Sequence, residues 1–598
     1  MNKTTKEIKQ TGAEKIRWDL TDLYPDIKTL EEDLQKIDVI AESFSQRYRD
    51  LVPSLDATDL SLALKEFETI HESLGQAHTY AYLMWCTDME DPEKGALLQK
   101  VREIGNQIQQ KIIFFELEWI QIEDEVSEKL LKSPQLNSYR HYLEVERLKK
   151  THILNEQEEK ILSEKSMTGR QAWNRLFDET MGSARFLLDG QQFTVQEILA
   201  KLHSPKGEIR KAAAQSLTDG LQDHLHALTF IFNVILADKT SDDRLRNYPN
   251  WLSSRNLANE VSTEMVQSLI EAVSGRYDLV ARYYKLKRKL LGLEILNDYD
   301  RYAPLQEGQS FYPWDKSKKI VLKAFGSFHP TMESVAKDFF ELKWIDAPIQ
   351  PGKIGGAFSH GAVPTAHPYV LVNYTGRIRD VATLAHELGH GVHQYLSRKQ
   401  GVLQASTPLV LAETASTFGE MLVFDSLVGE SKSEALLPLL VSKIDDIMAT
   451  VFRQISLNRF EDCIHTHRRK HGELSPDHFS KLWMETQQDM FQDSVKLGEH
   501  YQIWWSYIPH FIHTPGYVYA YAFGELLILS LYSRYRKIGD AFADQYLDLL
   551  ESGGSDWPHV LLGKLGIDLN DANFWQEGLS SIEDMIIKAE QLATLEKK

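Results

Sequence analysis

Residues 380–397 read DVATLAHELGHGVHQYLS, with apolar side chains recurring at helical spacing around His386-Glu387-Leu388-Gly389-His390. On a helix, residues four apart share a face, so the imidazoles of His386 and His390 can reach one ion while Glu387 stands beside it. Zinc suits such a pair, because two imidazoles satisfy half of its tetrahedral preference. Glu387 is then placed to orient and deprotonate a water at the ion, and the expected chemistry is hydrolytic. With 21 histidines among 598 residues, the pattern H-E-x-x-H arises by chance roughly 0.06 times in a chain this long.

Catalytic zinc usually keeps three protein ligands and one open position. The extension H-E-x-x-H-x-x-G-x-x-H fails, since position 393 is His393 and position 396 is Leu396. His393 is itself a candidate third ligand: it shares the face of His386 and His390, although a straight helix carries it a further turn along the axis. As an alternative it serves behind the ligands or toward substrate. The favoured candidate is a carboxylate from a following helix. Thr407-Pro408 reads as a helix start, with an N-cap hydroxyl and a first-turn proline. The run LVLAETASTFGEMLVFDSLV follows, and Gly429 is a plausible stop. Glu413 falls early in that run among small and apolar residues, where an unpaired carboxylate is costly. Glu420, seven residues on, shares its face, with solvation as the alternative role for either residue.

These residues resemble the thimet oligopeptidase and oligoendopeptidase F family of zinc metallopeptidases. The likeness rests on H-E-x-x-H at 386–390 and the glutamate of LAETASTFGE, which maps onto Glu413. WDLTDLYP at 18–25, GGAFSHG…HPYVLVNYTG at 355–376 and YIPHFIHTPGYVYAYAFGE at 507–525 resemble the oligoendopeptidase F branch and extend the likeness over most of the chain. The resemblance implies a mainly α, clam-like, multi-helix molecule whose deep channel admits short peptides and excludes folded proteins. It also implies endopeptidase cleavage of oligopeptides with one zinc per chain, held by His386, His390 and Glu413, with Glu387 as general base and then proton shuttle. The nearest rival is a zinc carboxypeptidase. A helical binding protein with a vestigial motif is the non-enzymatic alternative.

The segment 510–521 supplies His510, His513, Tyr517, Tyr519 and Tyr521, groups able to donate to the oxyanion formed when water attacks a peptide carbonyl. If it is helical, Tyr517 and Tyr521 share a face and Tyr519 points elsewhere. The expectation is that His510 with one or two of these tyrosines steadies the transition state. Residues 368–374, short, β-branched and aromatic, read as a strand ending in a Thr375-Gly376 turn, beside a glycine-rich loop. In the resembling family this region borders the channel, where a substrate can lie as an added strand; an ordinary hairpin is the alternative.

Composition bounds the rest. The net charge of −19, from 67 basic and 86 acidic residues, argues against general nucleic-acid or anionic-membrane binding. Cys86 and Cys463 fit a reducing compartment, no apolar signal core stands at the N-terminus, and a cytoplasmic location is expected. Short peptides are the expected partners. Helical periodicity covers 28–50, 57–88, 93–119, 155–180, 208–246 and 260–292, and SARFLLDGQQFTV reads as a hairpin with an Asp-Gly turn. A boundary near 195 divides an N-terminal helical domain, 1–195, expected to form a channel wall, from a catalytic domain, 196–598. The basic run His465–His471 reads as a solvated helix face.

Overall fold

The computed structural model describes residues 10–305, 311–430 and 433–595. Helices dominate, and their starts are written in local chemistry. Helices α1 (Ile27–Tyr48) and α2 (Ala57–Thr87) begin at Asp26 and Asp56, whose carboxylates accept first-turn amides of Thr29 and Thr58 at 2.8 Å. Helix α3 (Pro92–Ile112) follows an Asp-Pro pair in the same way. The hairpin lies where the sequence places it, with β1 (Phe186–Leu188) antiparallel to β2 (Gln191–Phe193). Asp189 and Gly190 both take positive φ, 52° and 76°, as a type I′ turn requires. Helix α4 (Gly207–Leu245) and several shorter helices precede a three-stranded sheet of β3 (Ile345–Asp346), β4 (Phe358–His360) and β5 (Tyr369–Leu371). In that sheet β5 is central, parallel to β3 and antiparallel to β4.

The helix α5 (Ile378–Ser397) carries the histidine motif. Asp380 caps it by accepting the amides of Thr375 (2.7 Å) and Arg377 (3.0 Å). Val381, Leu384, Ala385, Leu388 and Val392 are buried, a stripe at helical spacing that docks α5 and leaves the motif on its flank. It packs beside the small sheet, as the fold reading expects.

Several boundaries differ from the periodicity. The 93–119 run breaks at Ile113, 155–180 becomes Glu156–Ser166 and Arg170–Ser183, and 260–292 becomes Thr263–Ser274 and Tyr277–Leu290. Gly169 and Gly275 stand at the last two breaks, and apolar spacing alone does not register such interruptions. After the motif, α6 (Leu409–Ala412) starts one residue later than Thr407-Pro408 suggests, with no side-chain cap. The next helix, α7 (Thr414–Glu430), runs through Gly429 without stopping there. Helix α8 (Arg453–His471) carries the basic run, which is only partly a solvated face. His465 is buried and stacks on Trp251 with ring centroids 4.5 Å apart, and Arg469 pairs with buried Asp243, whereas Lys470 and His471 are exposed. One side of an otherwise polar turn is recruited to packing.

Two compact units emerge, and neither is continuous in the chain. The first comprises residues 1–150, 309–429 and 534–567, the second 151–308, 430–533 and 568–598. In the first, α1 to α3 build a core that includes Tyr369 of β5, with Phe358 and Leu403 packed against it. In the second, α4 is the axis of a core containing Trp483, Trp504 and Trp505. The expected division at 195 does not coincide with these units, because residues 1–150 complete their core with chain from 309–429. Among the described residues, no helix is long and apolar enough to cross a membrane.

Candidate metal centre

All the residues of the histidine motif, and both candidate carboxylates, belong to the first unit. Helix α5 holds the rings of His386 and His390 nearly perpendicular, 84°, with centroids 4.9 Å apart. Glu413 is not inside a helix. It stands at the break between α6 and α7 (φ −79°, ψ −1°), where its side chain turns toward α5. Its Oε2 lies 3.4 Å from Nε2 of His386 and 3.4 Å from Nε2 of His390. Ser416 Oγ donates to the same oxygen at 2.8 Å and fixes the carboxylate's orientation. Tetrahedral donors about 2.0–2.1 Å from a zinc ion stand about 3.3–3.4 Å apart, so both Glu413–imidazole spacings match that ion. Among the described residues, His386, His390 and Glu413 are the one group whose donor atoms converge in this way, all within 4.8 Å of one another.

Behind the trio, His386 Nδ1 lies 2.6 Å from Glu420 Oε1. Glu420 is thus paired with His386 and stands outside the converging group. Once His386 loses one proton, the other stays on Nδ1 directed to Glu420, and Nε2 then presents its lone pair toward Glu413 and His390. The electrostatics follow. Burial opposes a charged His386, but Glu420 and then Glu413 and Glu387 outweigh it and push its pKa up to about 9. Burial likewise opposes a charged Glu413, yet the hydrogen bond and charge of His390, with His386 and Ser416, hold it down at about 2. Glu387 is 7% exposed, and burial raises its carboxyl above the usual range despite both imidazoles. His393 is buried outside the converging group, and burial, with His390, keeps it neutral down to about pH 3.

What brings Glu413 and Glu420 to α5 is the near absence of side chains between two helices. A Cβ on Gly389 would stand 2.4 Å from the carbonyl oxygen of Ala415, and one on Gly419 would stand 3.0 Å from that of Ala385. The backbones of α5 and α7 meet at these glycines, and Tyr546 Oη caps the junction by donating to the Thr414 carbonyl at 2.8 Å. Sequence reasoning passed over Gly389 and Gly419. Their signal is the small-residue run Ala415, Ser416, Gly419 facing a glycine inside the motif.

The His/Tyr segment belongs to the second unit. His510 opens a short helix, Tyr521 Oη lies 3.4 Å from His510 Nε2, and the rings of Tyr517 and Tyr521 meet edge-on at 5.0 Å. Those three side chains are brought together, although Tyr517 precedes the helix Tyr519–Ile538, so the pairing of Tyr517 with Tyr521 comes from the loop and not from a shared helix face. Tyr519 is not among them. Its ring is fully buried, and its hydroxyl donates to Asn256 Oδ1 (3.0 Å) and accepts from Asn259 Nδ2 (2.8 Å), which marks it as a packing residue. His513 is likewise turned away, Nε2 lying 2.9 Å from Asp178. The loop between is held by buried Glu461, whose Oε1 accepts the Gly516 amide at 2.9 Å; burial pushes that carboxyl up to about 8. Gly516 has φ +77°, and a Cβ there would press on Leu252 at 2.8 Å. Cys86 and Cys463 are both free thiols.

Comparison with known proteins places this geometry. The family model described as Peptidase family M3 matches residues 200–581, and the one described as Oligopeptidase F matches residues 118–186. Oligopeptidase PepF of Bacillus subtilis is 27% identical over 592 residues, spanning 96% of this chain and 88% of its own. Group B oligopeptidase PepB of Streptococcus agalactiae is 26% identical, spanning 97% of each chain. A Chlamydophila abortus crystal structure named as that of a peptidase superposes with a TM-score of 0.84 at 26% identity, covering 96% of this chain and 98% of the other. Oligoendopeptidase-F from Enterococcus faecium shares the fold, with a TM-score of 0.71 at 20% identity and coverage of 95% and 99%.

Proposed function

Because the chain belongs to peptidase family M3, and is by that membership a peptidase, we propose that it is a zinc-dependent endopeptidase of short oligopeptides, acting in the cytoplasm. The observation that carries the metal assignment is the equal 3.4 Å approach of Glu413 Oε2 to two imidazole nitrogens, one of them oriented by Glu420. His386, His390 and Glu413 would hold one zinc ion per chain. When bound, zinc supplies Lewis-acid polarisation of the scissile carbonyl and of the attacking water. The names of the relatives, oligopeptidase and oligoendopeptidase, support small peptides as the substrate class.

Glu387 does the proton work. Its carboxylate accepts a proton from water as the oxygen attacks the carbonyl carbon, and delivers it to the amide nitrogen as the C–N bond breaks. Burial raises its affinity for that proton, which suits a base that must also act as an acid in the same turnover. Glu420 accepts from His386 Nδ1 and keeps the imidazole in one tautomer throughout. His510 and Tyr521, with Tyr517 beside them, are assigned to the developing oxyanion on the strength of the family resemblance. Substrate backbone is assigned to the open edge of β4.

The test is Glu387→Gln. The variant should bind zinc as the parent does and lose at least about 10³-fold in kcat, since an amide cannot take the proton. Zinc content is measured by elemental analysis and turnover on a fluorogenic oligopeptide, with chelation and zinc readdition as the parallel arm. Substantial turnover by the zinc-loaded variant would mean that another base operates.

A further inference from the structure

Among the described strands, β4 is an edge strand, paired with β5 alone. Val370 gives its N–H to Trp344 and Val372 to Asp346, so Val370 faces β3, and its neighbours Tyr369 and Leu371 face His360 and Phe358 of β4. By ladder alternation the N–H and C=O of Ser359 point off the open edge. Gln394 Nε2 reaches that carbonyl only at 3.4 Å, a contact that an incoming backbone amide could replace.

Side chains of β4 divide between two neighbours. Ser359 Oγ donates to Gln394 Oε1 at 2.8 Å, one helical turn beyond His390 on α5. Phe358 and His360 point to the opposite face and meet Tyr82 of α2, ring centroids 5.9 and 5.8 Å away. Tyr82 is the hub of a stripe on α2: His78 lies parallel to it at 6.0 Å and 8°, and Trp85 tilts against it at 6.2 Å. Positions 78, 82 and 85 recur at helical spacing, and all five rings are partly exposed. Aromatic rings that back onto the first unit's core yet stay partly exposed beside an open strand edge offer a surface on which an apolar side chain can be buried.

We propose that this wall of α2 and β4 is a specificity pocket for a bulky apolar or aromatic side chain of a peptide lying along β4. The inference rests on the peptidase reading above and names the residue type it selects. A peptide residue opposite Ser359 points its side chain toward α5, and the residues on either side of it point toward Tyr82. The pocket is uncharged at neutral pH, because burial lowers His78 and takes His360 down to about 4, while it pushes the Tyr82 hydroxyl up to about 12. Arg102 adds a positive field at His78 and Tyr82, which disfavours lysine and arginine in the pocket.

The experiment uses the zinc-loaded full-length enzyme. A mixed peptide library, digested and read by mass spectrometry, identifies the position near the cleaved bond at which apolar residues are enriched. Paired peptides differing only there, phenylalanine against alanine, are then compared by kcat/KM. The parent should favour phenylalanine about 10- to 100-fold, the worth of burying one large apolar side chain. Tyr82→Ala should bring the ratio to within about threefold of unity. Tyr82→Leu, which keeps bulk, should retain a preference over alanine while losing phenylalanine over leucine. General damage to the fold lowers both rates and leaves each ratio in place, so the ratios report the pocket. An unchanged ratio in both variants, or cleavage without any apolar preference near the bond, overturns the pocket alone. A parent enzyme that cleaves no peptide, or cleaves equally well after Glu387→Gln, overturns the metallopeptidase reading and the pocket with it.

Discussion

Glu413 and Glu420 are seven residues apart and chemically identical, yet they meet the histidines differently. Glu413 offers an oxygen to the space between two Nε2 atoms, whereas Glu420 takes the proton of His386 Nδ1 from behind. Glu413→Ala should therefore abolish zinc retention at micromolar metal, and Glu420→Ala should weaken affinity about 10- to 100-fold, the usual cost of losing such an orienting partner. Zinc titration against a competing chelator separates the two, and equal loss in both would remove the ligand assignment. The tyrosines divide in a similar way. Tyr519→Phe strands two buried asparagines and should cost about 1–3 kcal/mol in thermal or denaturant unfolding, with kcat within a few-fold of the parent. Tyr521→Phe should leave stability nearly alone and lower kcat by about 10²–10³-fold if its hydroxyl stabilises the oxyanion. Steady-state kinetics beside melting curves distinguish these outcomes. The imidazole pair was legible in the sequence because a helix converts spacing into direction, whereas Glu413, at a break between helices, was reached through its apolar surroundings and the family resemblance. That Glu420 reaches His386, and that Tyr519 belongs to packing, were not, because each depends on a residue from another element.

Between α5 and α7 the decisive residue has no side chain. Helix propensity alone says that Gly389→Ala should stabilise α5 by about 1 kcal/mol. The close approach of the Ala415 carbonyl reverses the sign: an added Cβ at 2.4 Å must push the helices apart, at about 1–3 kcal/mol. The variant should melt below the parent and bind zinc at least about tenfold more weakly, because α7 starts directly after Glu413 and carries Glu420. A raised melting temperature with unchanged zinc affinity would show that the helices do not meet there. The hairpin shows the opposite case, since Asp189-Gly190 sets its own turn and needed no partner to be read. The α6–α7 break at Glu413 left no mark in the apolar spacing, because the interruption is held by contacts such as Ser416 Oγ to Glu413 and Tyr546 to the Thr414 carbonyl.

At the scale of the whole chain, the first unit joins residues 1–150 to 309–429 and 534–567. The amide of Asp19 binds the Lys343 carbonyl at 2.9 Å, that of Trp314 binds the Thr11 carbonyl at 2.8 Å, and Gln404 Oε1 accepts the amide of Tyr142 at 3.1 Å. A fragment of residues 1–195 therefore lacks part of its own core and should show no cooperative thermal transition, while the full chain does. Circular dichroism during heating checks this, and a sharp melt of the fragment would show that residues 1–195 fold as a domain of their own. The sequence by itself determined the helical class, the positions of most helices, the hairpin turn and the shared face of His386 and His390, because these follow from periodicity and local chemistry along one stretch of chain. Only the tertiary structure decided which helix backbones touch, which carboxylate stands behind which imidazole, and which distant segments share a core. Those outcomes depend on side-chain volume and backbone approach between residues far apart in the chain, and spacing along the sequence carries no measure of either.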